Sequence, residues 1–256
     1  MAKARAASIL ISGAASGIGR ATALGLAKAD VALTLFDRNA AMLLDVAGAC
    51  RQEGADVLDV AGDAASDSDV KTAVARAVET HGFLSGVVAA AGVAHKGDVT
   101  ALTDEIWNVT LAVNLTGPFL LARHAVPHLL KNPASAFVAV SSDSGIRGSR
   151  GYAAYSASKH GVVGLIRCMA LDHGPGGLRS NVVCPSFVAT PMADGLLKEN
   201  DGAYDRAFYE RRVPLGRFAR PEEVADAISH LLSPQASYAN GMVYMLDGGT
   251  TAGTFG

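Results

Sequence analysis

The sequence predicts a doubly wound α/β fold built as one continuous domain over residues 1–256, with about seven parallel strands and helices on both faces of the sheet. Three observations predict it. Short apolar runs alternate with amphipathic stretches along the whole chain, with no repeat, linker or low-complexity tract. The first run, Ile9-Leu10-Ile11, passes directly into a turn with glycines at 13, 17 and 19 and then into a helical pattern from Arg20 to Ala29. A second run, Val31 to Phe36, ends on the carboxylate of Asp37. With 256 residues, 50% of them hydrophobic, the chain has enough material to bury a substantial core.

Strands are expected near residues 7–12, 31–36, 55–60, 86–90, 136–141, 178–184 and 242–246, with helices between them. Asn39 is placed to cap the second helix and Gly54 to end it, while Ser66 and Gly82 frame the third. Thr103 opens the fourth, followed by Asp104 and Glu105 at the positive end of the helix dipole. Pro221-Glu222-Glu223 starts a late helix with Leu231-Leu232 inside it, before the last strand.

Composition excludes several functions. A net charge of −2 offers no broad basic surface, so nucleic acid is not an expected partner. No apolar run approaches the length of a bilayer span, so a soluble protein with no membrane partner is expected. Lys3 and Arg5 before Ala6-Ala7-Ser8-Ile9 faintly imitate a secretion signal, but the apolar stretch is too short and reads as the first strand. Cys50, Cys168 and Cys184 are scattered, odd in number and without Cys-x-x-Cys spacing, which fits a reduced cytoplasmic setting. Cys168 and Cys184 lie in apolar helix and strand patterns and are expected to be packed inside. His124 and His128 have the i,i+4 spacing of a metal clamp but no evident third ligand, so no metal site is expected.

Two constellations carry chemistry. The glycine turn lets the backbone approach a pyrophosphate, which the N–H groups and dipole of the following helix attract, although its spacing differs from the commoner G-x-G-x-x-G. Tyr155 and Lys159 stand four apart, which puts a phenol and an ammonium on one helix face. A phenol with a pKa of about 10 exchanges protons near neutrality only beside positive charge, and Lys159 is placed to supply it.

Taken in order, Ser12-Gly13-Ala14-Ala15-Ser16-Gly17-Ile18-Gly19, Asn114, Ser142, Tyr155 with Lys159, and Pro185 through Thr190-Pro191 resemble the short-chain dehydrogenase/reductase family. The resemblance runs from about Ser8 to Gly249 and implies a Rossmann-like fold and a nicotinamide cofactor. It implies that Ser12, Gly13, Ser16, Gly17, Ile18 and Gly19 form the cofactor turn and that Asp37 binds the adenosine ribose. Asp63-Ala64 would meet the adenine, Ala91 and Gly92 a ribose, and Pro185, Val188 and Thr190 the carboxamide end. Asp37 would repel a 2′-phosphate and Ala14, Ala15 and Ser16 add no base, so NAD is expected over NADP, although Arg38 beside it could attract that phosphate or stack on adenine.

The resemblance further implies that Tyr155 acts as general acid/base, and that Lys159 lowers its pKa and binds the nicotinamide ribose. Ser142 would bond the substrate oxygen, and Asn114 would hold a helix open for a proton-relaying water. Two departures stand out: Ala89-Ala90-Ala91-Gly92 where the family commonly has Asn-Asn-Ala-Gly, and Pro185-Ser186 where it has Pro-Gly. A substrate lid is expected at about 191–214, mixing Leu196, Leu197, Tyr204, Phe208 and Tyr209 with Arg206, Arg211 and Arg212. Those arginines read first as a solvated helix face, and otherwise as contacts for a carboxylate, sulfonate or phosphate. His95, Arg147, Arg150 and Tyr152 are candidates to border the pocket.

The leading expectation is an NAD-dependent dehydrogenase of a secondary alcohol or its ketone. The alternatives are a 3-oxoacyl-thioester (acyl-carrier-protein) reductase using NADPH, suggested by the Gly216 to Glu223 segment, and a non-catalytic NAD-binding regulator. A homotetramer is expected, with a dimer as the alternative.

Overall fold

The computed structural model describes residues 7–198 and 205–254, so Lys3, Arg5 and Tyr204 lie outside the described residues. Seven strands form one sheet: β1 (Ala7–Ser12), β2 (Val31–Asp37), β3 (Asp56–Ala61), β4 (Gly86–Ala89), β5 (Ala136–Val140), β6 (Arg179–Pro185) and β7 (Val243–Leu246). They run in the order β3-β2-β1-β4-β5-β6-β7, and every neighbouring pair is parallel. The chain reverses its direction of winding between β1 and β4, which opens a crevice beyond the carboxyl ends of those strands.

Because side chains alternate across a strand, the apolar runs of β1 and β2 supply two cores. Ile9, Ile11, Leu33 and Leu35 pack on one face with helices α1 (Gly17–Leu26), α2 (Ala40–Gln52) and α9 (Pro221–Leu232). Leu10 and Phe36 pack on the other with α3 (Asp67–His81), α5 (Gly117–Leu129) and α6 (Ala153–His173). Both faces are therefore covered, as an all-parallel sheet requires.

The expected caps form. Asn39, Ser66 and Thr103 accept from the backbone N–H groups of Met42, Asp69 and Ile106. Gly54 and Gly82 take the left-handed conformation, with φ of 93° and 81°, just after α2 and α3. The helix opened by Thr103 is interrupted: α4 (Asp104–Leu111) passes through a π-helical turn, Ala112–Thr116, into α5. Within the expected lid, α7 (Pro191–Lys198) and α8 (Arg206–Glu210) form on either side of residues 199–204.

One expectation is corrected. Cys50 and Cys184 are buried, but Cys168 is exposed. It falls on the outer side of α6, where Ile166, Met169 and Ala170 already fill the inward stripe. No helix among the described residues is long and apolar enough to cross a membrane.

Candidate active site

A cavity of about 790 Å³ opens at the carboxyl ends of the central strands. Ile18, Gly92, Ser142, Tyr155, Lys159, Pro185, Val188 and Thr190, all singled out in the sequence, line it. The strand-to-helix geometry brings the chemistry together. Ser142 follows β5, and the hydroxyl of Ser141 donates to the carbonyl of Lys159 at 2.9 Å, fastening the strand end to α6. The ammonium of Lys159 is buried, donates to the Val140 carbonyl at 2.9 Å and lies 5.6 Å from the centre of the Tyr155 ring. Phenol and ammonium thus share one cavity wall.

Their proton affinities differ from the sequence expectation. Burial pushes the Tyr155 phenol up to about 12, partly opposed by the neighbouring Ser142 and reinforced by the negative charge of Asp143. Burial also pushes Lys159 down to about 8. The sequence leads one to expect Lys159 to make Tyr155 more acidic; in this cavity burial sets the direction for both groups. Tyr155 keeps part of its surface open to the cavity, so the full upward push belongs to a cleft from which water is excluded.

Asn114 sits fully buried in the π turn. It accepts from the Val93 N–H at 2.8 Å and donates to the Val93 carbonyl at 2.9 Å and to Ser158 at 3.1 Å. Its amide therefore ties the loop after β4 to α6, in a chain that has alanines at 89 and 90. The buried hydroxyl of Ser12 adds a second tie, accepting from the Ala91 N–H at 3.4 Å.

Asp143 is not among the sequence candidates, and its buried carboxylate organises this wall. It accepts from the Ser142 hydroxyl at 3.0 Å, the Ser186 hydroxyl at 3.1 Å, and Arg147 at 3.2 Å through Nε and 2.6 Å through Nη2. Ser186 is the residue that departs from Pro-Gly, and its hydroxyl bonds Asp143; that departure was the available signal. Donating to Asp143 and accepting from the Ser144 N–H at 3.1 Å, the Ser142 hydroxyl keeps one lone pair for the cavity.

The glycine turn lies beside these groups. Gly13 has φ of 69°, and a Cβ there would stand 2.6 Å from the Ala91 nitrogen. A Cβ on Gly19 would stand 2.1 Å from the Gly13 carbonyl oxygen, and one on Gly17 3.3 Å from Thr190. Helix α1 starts at Gly17 with no side-chain cap from Ser16 and no acidic residue in its first turn, which leaves its N–H groups and dipole open to an anion. Asp37 accepts from the Ala15 N–H at 3.0 Å and the Asn39 N–H at 2.9 Å, and its carboxylate keeps further lone pairs for ribose hydroxyls. Arg38 is exposed beside it. The turn, the uncapped helix start and Asp37 fit a dinucleotide.

The other candidates are divided between the cavity wall and its surroundings. Asp63 accepts from the Ala65 N–H at 2.9 Å, and its own N–H donates to Asp69 at 2.9 Å, so with Ala64 it forms the turn leading into α3 rather than part of the cavity wall. His95 bonds Thr110 at 3.1 Å, and His124 bonds Asp67 at 2.9 Å. Arg147, Arg150, Tyr152 and Arg212 line the cavity, whereas Arg206 pairs with Glu210 at 2.8 Å and Arg211 lies off the wall.

Comparison with known proteins agrees with this geometry. A family profile described as enoyl-(acyl carrier protein) reductase matches residues 13–251. Cis-4-hydroxycyclohexanecarboxylate dehydrogenase of Sinomonas cyclohexanicum is 39% identical over 244 residues, covering 95% of this chain and 96% of that one. The chain belongs to the short-chain dehydrogenase/reductase family. The crystal structure of levodione reductase superposes on this family member with a TM-score of 0.94 at 30% identity, covering 98% of this chain and 100% of that one. A 3-ketoacyl-(acyl-carrier-protein) reductase from Brucella melitensis complexed with NADH gives 0.88 at 29% identity, covering 97% and 100%. Like its relatives in the short-chain dehydrogenase/reductase family, the chain is an oxidoreductase of the alcohol dehydrogenase and ketone reductase type.

Proposed function

We propose that this chain transfers a hydride between a secondary alcohol, or its ketone, and NAD, with Tyr155 as general acid/base. The observation that carries the reading is the convergence of Ser142, Tyr155 and Lys159 on one cavity that also reaches Ile18, Gly92 and Thr190. The bound nicotinamide supplies or accepts the hydride. Tyr155 gives its phenolic proton to a ketone oxygen or removes the alcohol proton in the opposite direction. Ser142, its own proton held by Asp143, accepts from the alcohol hydroxyl and orients it. Lys159 faces the Tyr155 ring and offsets charge on the phenolate, and Asn114 holds the π turn and the β4 loop around it. A ring-sized secondary alcohol suits the cavity, and the Sinomonas relative is named for a hydroxycyclohexanecarboxylate.

The position of Asp37 at the end of β2, bonded to the glycine turn, favours NAD, because a 2′-phosphate would meet its negative charge. Asp37→Asn is expected to narrow the preference of NAD⁺ over NADP⁺ by about tenfold or more, roughly 1.4 kcal/mol, in titrations of cofactor binding. An unchanged ratio would remove Asp37 from this role. The second reading, a 3-oxoacyl-thioester reductase, is supported by the likeness to the 3-ketoacyl-(acyl-carrier-protein) reductase from Brucella melitensis. It requires faster turnover with NADPH and a 3-oxoacyl thioester than with NAD⁺ and a secondary alcohol, and a direct comparison of kcat/KM separates the two.

We also propose a cytoplasmic homotetramer, with residues 191–214 closing over the substrate in a single-domain chain. Trp107, Val109 and Phe119 on α4 and α5, Leu171 on α6 and Met242 before β7 leave large apolar side chains on the outer surface, which subunit contacts would cover. Light scattering is expected to give four chain masses. A mass of one chain would contradict it.

A further inference from the structure

Charge is distributed unevenly around the cavity. The chain carries 22 Lys and Arg against 24 Asp and Glu. Among the described residues, however, Lys96, Arg147, Arg150, Lys159 and Arg212 line the cavity, and Asp143 is the one carboxylate facing them. Asp143 is taken up by Arg147 and the hydroxyls of Ser142, Ser144 and Ser186, and Lys159 sits deep beside Tyr155. Lys96, Arg150 and Arg212, all exposed and all on the wall, stand at the rim where the cavity meets solvent; of these the two arginines carry the planar, forked donors that suit an oxyanion.

The structure also separates the arginines near the lid. Arg206 is neutralised by Glu210 and lies over the Phe218 ring, 4.8 Å from its centre. Arg212 forms no ion pair among the described residues. Its guanidinium carbon lies 3.5 Å from the centre of the Phe208 ring, and Nη1 donates to the Phe208 carbonyl at 3.3 Å. A guanidinium carries five donors, so the group is held in place with several still to offer. Between this rim and Tyr155 the wall is apolar and ordered by aromatic contacts: Phe187 stacks on Phe218 at 5.1 Å and meets Tyr209 at 4.8 Å, with Leu196 and Leu197 of α7 nearby.

Resting on the oxidoreductase reading above, we propose that the substrate is an anionic alcohol or ketone, in which an apolar body separates the reacting carbon from a carboxylate or sulfonate held by Arg150 and Arg212. The hydroxyl or carbonyl end lies against Ser142 and Tyr155, the body against the aromatic wall, and the oxyanion at the rim. An oxyanion there accepts charge-assisted hydrogen bonds that a neutral analogue cannot make.

The test compares 4-hydroxycyclohexanecarboxylate, its methyl ester and the corresponding sulfonate as substrates with NAD⁺. Both anions are expected to exceed the ester in kcat/KM by about tenfold or more, with the advantage shrinking as ionic strength rises. In the Arg150→Gln/Arg212→Gln double variant the ratio of anion to ester should fall towards one, while Arg212→Lys keeps part of it. A wild-type ratio near one, or a preference that survives the double substitution, overturns the proposal. If none of the three is oxidised, the oxidoreductase reading is what fails for this class, and calorimetry of 4-oxocyclohexanecarboxylate with the NAD-loaded Tyr155→Phe protein still decides the subsite. Binding lost in the double variant supports it. Binding equal to that of the methyl ester overturns it.

Discussion

Tyr155→Phe is expected to lower kcat for alcohol oxidation by about 10²- to 10⁴-fold while leaving NAD affinity within a few-fold of the parent. The substitution removes one oxygen and keeps the ring that packs edge-on to Tyr152 at 6.4 Å, so the helix and the cavity wall stay in place. What is lost is the proton carrier. Ser142 has committed its hydrogen to Asp143, and Lys159 is bonded to the Val140 carbonyl, so neither neighbour is set to take over the transfer. Steady-state rates and cofactor fluorescence titrations on the same preparation separate lost chemistry from lost binding. Retention of more than about a tenth of the parental kcat would mean that another group moves the proton.

The second large effect concerns Asp143 and pH. Burial, with the Asp143 charge adding to it, holds the Tyr155 phenol in its neutral form, with a pKa near 12. The phenol is the acid needed to reduce a ketone, and the phenolate is the base needed to oxidise an alcohol. Oxidation should therefore climb as pH rises towards the alkaline range, whereas reduction should be faster at lower pH. Asp143→Asn removes one negative charge and leaves in place the other titratable groups around Tyr155, namely the Lys159 amine, the Tyr152 phenol and the Cys184 thiol. The rising limb of oxidation should move to lower pH by about one pH unit, the size of one nearby charge. Its plateau should fall by about tenfold, because Ser142 loses its charged acceptor and with it a fixed orientation. A plateau loss with no movement of the limb would reduce Asp143 to a scaffold role.

The fold was largely legible because its signals are local. Alternating apolar runs, caps at Asn39, Ser66 and Thr103, and glycines at 54 and 82 act within a few residues of themselves, and each does in the structure what its chemistry suggests. The π turn at 112–116 was less visible, since a wide turn has no sequence signature apart from the buried amide it carries, Asn114. Cys168 misled because an apolar helix pattern does not reveal which stripe faces inward until the partner surface is known.

At the site, motif spacing identified the residues that the structure gathers around the cavity, but it did not give their electrostatic balance. Proximity of Lys159 to Tyr155 follows from i,i+4 spacing, whereas the desolvation that raises the phenol and lowers the ammonium depends on everything packed around them. Asp143 and Ser186 are 43 positions apart and meet only through the pairing of β5 with β6, so neither alone announced a shared network.

The most direct measurement of the central claim is the appearance of reduced nicotinamide absorbance when the protein is mixed with NAD⁺ and a panel of secondary alcohols across a range of pH. The account predicts turnover with ring-sized alcohols that increases with pH and exceeds turnover with NADP⁺. Tight NAD⁺ binding without reduction by any alcohol in the panel, at any pH, would contradict it and leave a cofactor-binding protein without this chemistry.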